Sequence, residues 1–331
     1  MIRLPWPLNR RHVAAWLAPA LAAVALLRPV QLHGSSATQA LAAQAMNELM
    51  NGEPDAAIGI FHQIEKADPS SPLGYVLEAD ALWWKIYYAT ANLVDPDVFD
   101  VVSSNHTPYD AHFENLIDTS IRKSEANIRL KKDLAHNELY EGMSYALEAR
   151  LEGLRAHDFA TARAGKKMRA FLLAALQHDP RLIDAYSGLG LYSYFVATLP
   201  SIVKMLRFLI GLPGGSRAQG IEQMTRAAAS GEYTRAEAKF YLAKDYTRRN
   251  EMQFRKSLQL FQELARDYPR NPFWKMMVAS CDMRLGDSAE GEQLYRQILA
   301  ATSSRDTASR VAVHREVIDA LERLHPGETF R

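Results

Sequence analysis

Side chains that could do chemistry are sparse in this 331-residue chain, and their spacing assembles no site on a single element. His106 and His112 flank Tyr109 and Asp110, His136 lies two residues before Glu138, and His157 adjoins Asp158. None of these gives two ligands on one helix turn in the metalloprotease arrangement, and no paired cysteines offer a zinc site. The only cysteine, Cys281, leaves no intramolecular disulfide to form, and it falls in an apolar helix beside Met277 and Val278, where a buried structural thiol is expected. No Gly-x-Ser-x-Gly elbow is present, and the glycine-rich stretch 211–217 lacks the lysine of a phosphate loop. It reads as a turn, with Ser216 as the N-cap of the next helix. The expectation is a chain without catalytic residues, metal ligands or cofactor, and with no identifiable small-molecule substrate.

The elements that would carry these residues are helices. Before Pro69, the residues Ala57, Phe61 and Ile64 fall at steps of four, three and five. The same steps give Met168, Leu172 and Ala175 before Pro180, and Ser257, Phe261 and Leu264 before Pro269. Gly291, Tyr295 and Ile298 follow Gly286 in the same rhythm but end at Ser303. Steps of three and four put each small residue on one helix face with its large neighbours, so that an adjoining helix can approach closely. Glycine breaks one helix, and proline cannot continue the next. The spacing predicts helices over 37–50, 54–67, 71–92, 110–130, 133–156, 159–178, 182–198, 201–210, 216–230, 234–249, 251–267, 272–285, 288–301 and 306–324. Residues 95–110 form the longest irregular connection.

These residues resemble the tetratricopeptide repeat, a unit of about 34 residues containing two antiparallel helices. The copies at 41–69, 240–269 and 274–303 match best, whereas 70–155 and 181–237 keep helical periodicity without the motif. Within 188–272, the order of a Tyr-rich helix, Leu199-Pro200, Gly211-Leu212-Pro213-Gly214, Arg217-Ala218-Gln219-Gly220 and Tyr233-Thr234-Arg235 is similar to the tetratricopeptide-39 and Iml2-like subgroup. That subgroup is associated in its eukaryotic members with membranes and lipid bodies. The resemblance implies an all-α, right-handed α-solenoid of helical hairpins, one continuous body over 37–331, in which each unit buries its apolar side against the next.

The front end differs in composition. Arg3, Arg10 and Arg11 precede an uncharged stretch from Val13 to Leu27, Arg28-Pro29 closes it, and no acidic residue occurs before Glu48. Residues 1–36 therefore read as a secretory signal or an N-terminal membrane anchor, with the uncleaved anchor preferred because the small-x-small sites lie inside the apolar run. Such a leader implies export, with the body periplasmic or held at the inner membrane. Removing those four arginines from the 39 basic residues leaves 35 against 38 acidic ones. That balance, with only short basic runs, argues against nucleic-acid binding.

Tetratricopeptide resemblance also implies where a ligand lies, because the first helix of each hairpin lines the concave groove in that family. Carried onto this chain, the groove comprises Lys239, Leu242, Tyr246 and Arg249, continued by Phe273, Met276, Ser280 and Met283. A basic, aromatic and methionine-rich wall suits an acidic or carboxylate-ended peptide. Two further features call for an explanation. Trp83, Trp84, Tyr87 and Tyr88 place aromatics on two stripes of one helix, as packing against a helix on each side requires. Residues 189–212 form the most apolar part outside the leader, interrupted by Pro200, Lys204 and Arg207. This stretch is a hairpin buried in the solenoid, or a patch lying on lipid with Lys204 and Arg207 at the headgroups. The expected function is a non-enzymatic, envelope-tethered scaffold for a protein or peptide partner. The alternative is a membrane- or lipid-associated helical protein.

Overall fold

The computed structural model describes residues 36–90, 92–94, 106–199 and 211–330. The leader, most of the 95–110 connection, the helix expected over 201–210, and Lys204 and Arg207 lie outside them. Among the described residues, all within the unit Gly34–Arg331, there are thirteen α-helices and no strand. In chain order they are α1 Ser36–Met50, α2 Pro54–Ala67, α3 Leu73–Thr90, α4 Asp110–Arg129, α5 Leu134–Leu154, α6 Asp158–His178 and α7 Ala185–Thr198. The second half contains α8 Arg217–Ser230, α9 Arg235–Thr247, α10 Phe254–Asp267, α11 Pro272–Leu285, α12 Ser288–Ala301 and α13 Ala308–Leu324. None of them is long and apolar enough to cross a membrane.

The repeated small and large residues are the ones that anchor α2, α6, α10 and α12. Ala57, Phe61 and Ile64 are buried on α2, Met168, Leu172 and Ala175 on α6, Ser257, Phe261 and Leu264 on α10, and Gly291, Tyr295 and Ile298 on α12. Each helix thereby buries a narrow stripe against its sequence neighbours, and consecutive helices pack together along the unit. Gly52 and Gly286 take the left-handed conformation, with φ of +83° and +91°, that ends α1 and α11. A close crossing joins α7 to α8, where a Cβ on Gly220 would stand 2.7 Å from the Tyr194 backbone nitrogen.

Serial packing is not the whole arrangement, because the last helices return to the first. Trp274 Nε1 and Asn271 Nδ2 donate to the Met50 carbonyl at 2.9 and 3.1 Å, Arg270 reaches Glu48 at 2.9 Å, and Ser309 Oγ donates to the Gly52 carbonyl at 2.9 Å. Helix α13 packs on both α3 and α11.

Helix α3 lies at the centre of this closure. Of its 18 residues 14 are buried, so it has no solvent face and is a core helix on all sides. Trp84 meets Phe240 at 5.2 Å between ring centroids and Trp274 at 5.9 Å, Tyr88 meets Phe273 at 5.6 Å, and Trp83 Nε1 donates to Tyr241 Oη at 3.2 Å. Both aromatic stripes thus pack against α9 and α11.

Candidate functional site

Helix α3 also positions the two main concentrations of buried charge. The inner one joins three helices: Arg150 of α5 forms a two-pronged ion pair with Glu237 of α9, with Nη2 to Oε2 at 2.9 Å, and lies 3.8 Å from Asp80 of α3. Its guanidinium stacks over the Tyr241 ring at 4.8 Å. Burial, and then the neighbouring Glu237, hold the Asp80 carboxyl well above the usual range, while Glu237 meets Arg150 with both of its oxygens. The adjoining cavity is about 30 Å³, room for a water and not for an organic substrate. This network joins helices.

The outer concentration sits where α2, α3 and α4 meet and opens to solvent. Glu78 of α3 has a side chain only 2% exposed, and each of its oxygens meets a histidine: Oε2 lies 3.1 Å from His62 Nε2, and Oε1 lies 3.0 Å from His112 Nε2. Both histidine side chains are more than half exposed. Glu65, one turn after His62 on α2, brings a second carboxyl into the same place. Gly74 makes room for it, since a Cβ there would stand 2.6 Å from Glu65 Cγ. One donor atom from each of His62, Glu65 and Glu78 lies within 4.8 Å of the others. Burial, then hydrogen bonding to Glu78 and its charge, push the Glu65 carboxyl up to about 8, against the opposing charge of Lys123.

The residues singled out in the sequence are distributed differently. His106 Nδ1 pairs with Asp110 at 3.1 Å, and Asp110 also accepts from Arg155, so His106 and His112 do not converge. His136 turns to Asp133 at 2.9 Å, and His157 to Glu152 at 2.6 Å. Cys281 is buried against Ser257 at 3.4 Å, and burial pushes its thiol up, away from the thiolate form a nucleophile needs. Ser216 caps α8, accepting from the Gln219 backbone nitrogen at 3.3 Å.

The groove series divides among several neighbours. Leu242 and Tyr246 are buried with Tyr194 and Met224, facing α7 and α8. Lys239 pairs with Glu263 of α10 at 2.9 Å. Phe273 and Met276 are fully buried, Ser280 is buried, Met283 is half-buried, and Arg249 is exposed. The face of α9 turned toward α3 carries Glu237, Phe240 and Tyr241 instead, about half a turn from the series chosen by motif. These residues do not form an open wall, because α3 occupies the space before them.

Glu141 is another buried acid, 1% exposed, with Oε2 lacking a hydrogen-bond partner. Burial, followed by the charge of Glu125, pushes its carboxyl up to about 7. From about pH 4.5 to 7 the folded protein keeps a proton that the unfolded chain has released, so stability falls as pH rises through that window. Glu141→Gln should therefore match the wild type in urea midpoint at pH 5 and exceed it at pH 8.

No protein-family model matches the chain, and no curated protein matches it.

Proposed function

We propose that this chain is a non-enzymatic interaction scaffold of a bacterial-type cell envelope. In this reading it is a right-handed solenoid of tetratricopeptide-like hairpins, tethered through residues 1–36 and presenting its outer faces to a protein or peptide partner. The single observation that favours the outer faces is the seating of α3 against α9 and α11, where a solenoid would receive a helical ligand. Expelling α3 would expose 14 buried residues, each large side chain costing roughly 1.5–3 kcal/mol, so a partner does not compete for that space. Arg249, the exposed member of the motif-derived series, then belongs to the rim available for recognition.

A second reading, association with lipid, draws on α6. Phe159 is 78% exposed, and the exposed Arg163 and Lys166 follow it at four and seven residues on the same face. Lys166 Nζ would stand 3.2 Å from a Cβ on Gly211, at the end of the apolar segment 189–212.

One experiment separates the two. Full-length protein is cross-linked in membranes and, in parallel, floated with anionic liposomes. A scaffold gives a discrete protein cross-link that Arg249→Glu weakens and that Lys204→Glu with Arg207→Glu leaves intact. A lipid-associated protein gives flotation through its body that the Lys204 and Arg207 changes abolish, and no protein cross-link sensitive to Arg249.

A further inference from the structure

We propose that His62, Glu65 and Glu78 form a binding site for one divalent transition-metal ion of the zinc class, with His112 orienting Glu78 from behind. The site is independent of the scaffold reading. Its donor set, one imidazole nitrogen and two carboxylate oxygens, suits borderline ions such as Zn²⁺, and leaves a fourth position open to water.

Three observations carry the assignment. The first is spacing. Ligands about 2.0–2.1 Å from a zinc ion lie about 3.3 Å apart in a tetrahedral shell and about 2.9 Å apart in an octahedral one. His62 Nε2 and Glu78 Oε2, at 3.1 Å, already have the separation of two ligands on a common ion, and a Glu65 oxygen lies within 4.8 Å of a donor atom of each residue.

The second is an unmet polar atom. Glu65 Oε1 is buried and accepts from no N–H or hydroxyl donor, its carboxyl meeting that of Glu78 instead, an arrangement that costs about 1–3 kcal/mol unless a proton or an ion lies between them. An ion between Glu65 and Glu78 would pair with it and neutralise both carboxylates.

The third is the support behind the ligands. His112 Nε2 faces Glu78 Oε1 at 3.0 Å from α4, leaving Oε2 turned toward His62, and this is the outer hydrogen bond that fixes a metal-bound carboxylate. Gly74 leaves the space in which Glu65 lies. Three successive helices are thereby committed to one point, and an ion there would hold α2 to α3 directly and α4 through His112.

The test uses full-length protein in detergent, freed of metal with a chelator, and ZnCl₂ alone as the probe. Titration against a chromophoric competitor should give one Zn²⁺ per chain, and the melting temperature should rise with free zinc as binding to the folded state requires. His62→Ala and Glu65→Gln should each weaken binding by about 10–100-fold or more, and His112→Ala by about 10-fold, with helicity unchanged. His62 and His112 are exposed enough for their removal to leave the core intact. The assignment is overturned if the wild type takes up no zinc against the competitor, or if His62→Ala and Glu65→Gln keep wild-type affinity. It is likewise overturned if Ca²⁺ or Mg²⁺ binds as tightly as Zn²⁺, since those ions select all-oxygen sites.

Discussion

Replacing Arg150 with methionine should lower the unfolding free energy by about 3–5 kcal/mol, because the change strands Glu237 as an unpaired charge in a closed interior. The side chains of Arg150 and Glu237 are each 6% exposed, and the cavity beside them holds no more than a water, so solvent cannot replace the guanidinium. The loss also removes the stacking over Tyr241 and the link between α5 and α9. Chemical denaturation followed by circular dichroism measures the effect. Asp80→Asn is the discriminating companion: Asp80 stands 3.8 Å from Arg150 and its carboxyl is held well above the usual range, so its amide should cost far less at pH 7 than the loss of Arg150. Equal losses from the two variants would mean that Asp80 carries the balancing charge and that the assignment of the pair to Glu237 is wrong. Replacing Arg150, Asp80 and Glu237 together with apolar residues of similar volume should recover most of the lost stability, since a buried charge network stabilises mainly relative to its broken forms.

Trp274→Ala should cost about 3–5 kcal/mol from the cavity it leaves. Its ring is fully buried, meets Phe273 at 4.9 Å and Trp84 at 5.9 Å between centroids, and donates from Nε1 to the Met50 carbonyl at 2.9 Å. That bond is one of the few tying the turn after α1 to the far end of the unit, so the variant should also become sensitive to limited proteolysis near Gly52. Trp274→Phe keeps most of the apolar volume. It should cost less than the alanine change because it leaves a smaller cavity, Asn271 donating to the Met50 carbonyl at 3.1 Å in either case. Proteolysis near Gly52 unchanged in Trp274→Ala would show that Asn271, Arg270 and Ser309 suffice to hold the closure.

The leading candidate for a bound ion escaped sequence reasoning for a definable reason. A search for ligands one turn apart on a single helix rejects His106 with His112, and rightly so here, since the two turn to Asp110 and Glu78. The signal that was present is His62 with Glu65, three residues apart on the solvent-facing side of α2. It gains meaning only when α3 delivers Glu78 between them and α4 delivers His112.

Residue order by itself determined the helices, because their periodicity, caps and breakers are interactions over three to five positions. The spans 54–67, 272–285 and 288–301 coincide with α2, α11 and α12, and the small-and-large stripes coincide with what those helices and α10 bury. Ends shifted where the chain does something other than a simple break: α10 starts at Phe254 because 248–253 forms a turn with Met252 at φ +52°, and α7 starts at Ala185 after turn bonds from Leu182. Tertiary structure alone decided which faces meet. A motif could place Leu242 and Tyr246 on one stripe of α9. It could not say that α3 would claim the opposite stripe with Phe240 and Tyr241, or that Arg150 would find its partner 87 residues away. Those outcomes depend on packing all thirteen described helices at once, because burial and charge pairing are settled by neighbours in space, not by neighbours in the chain.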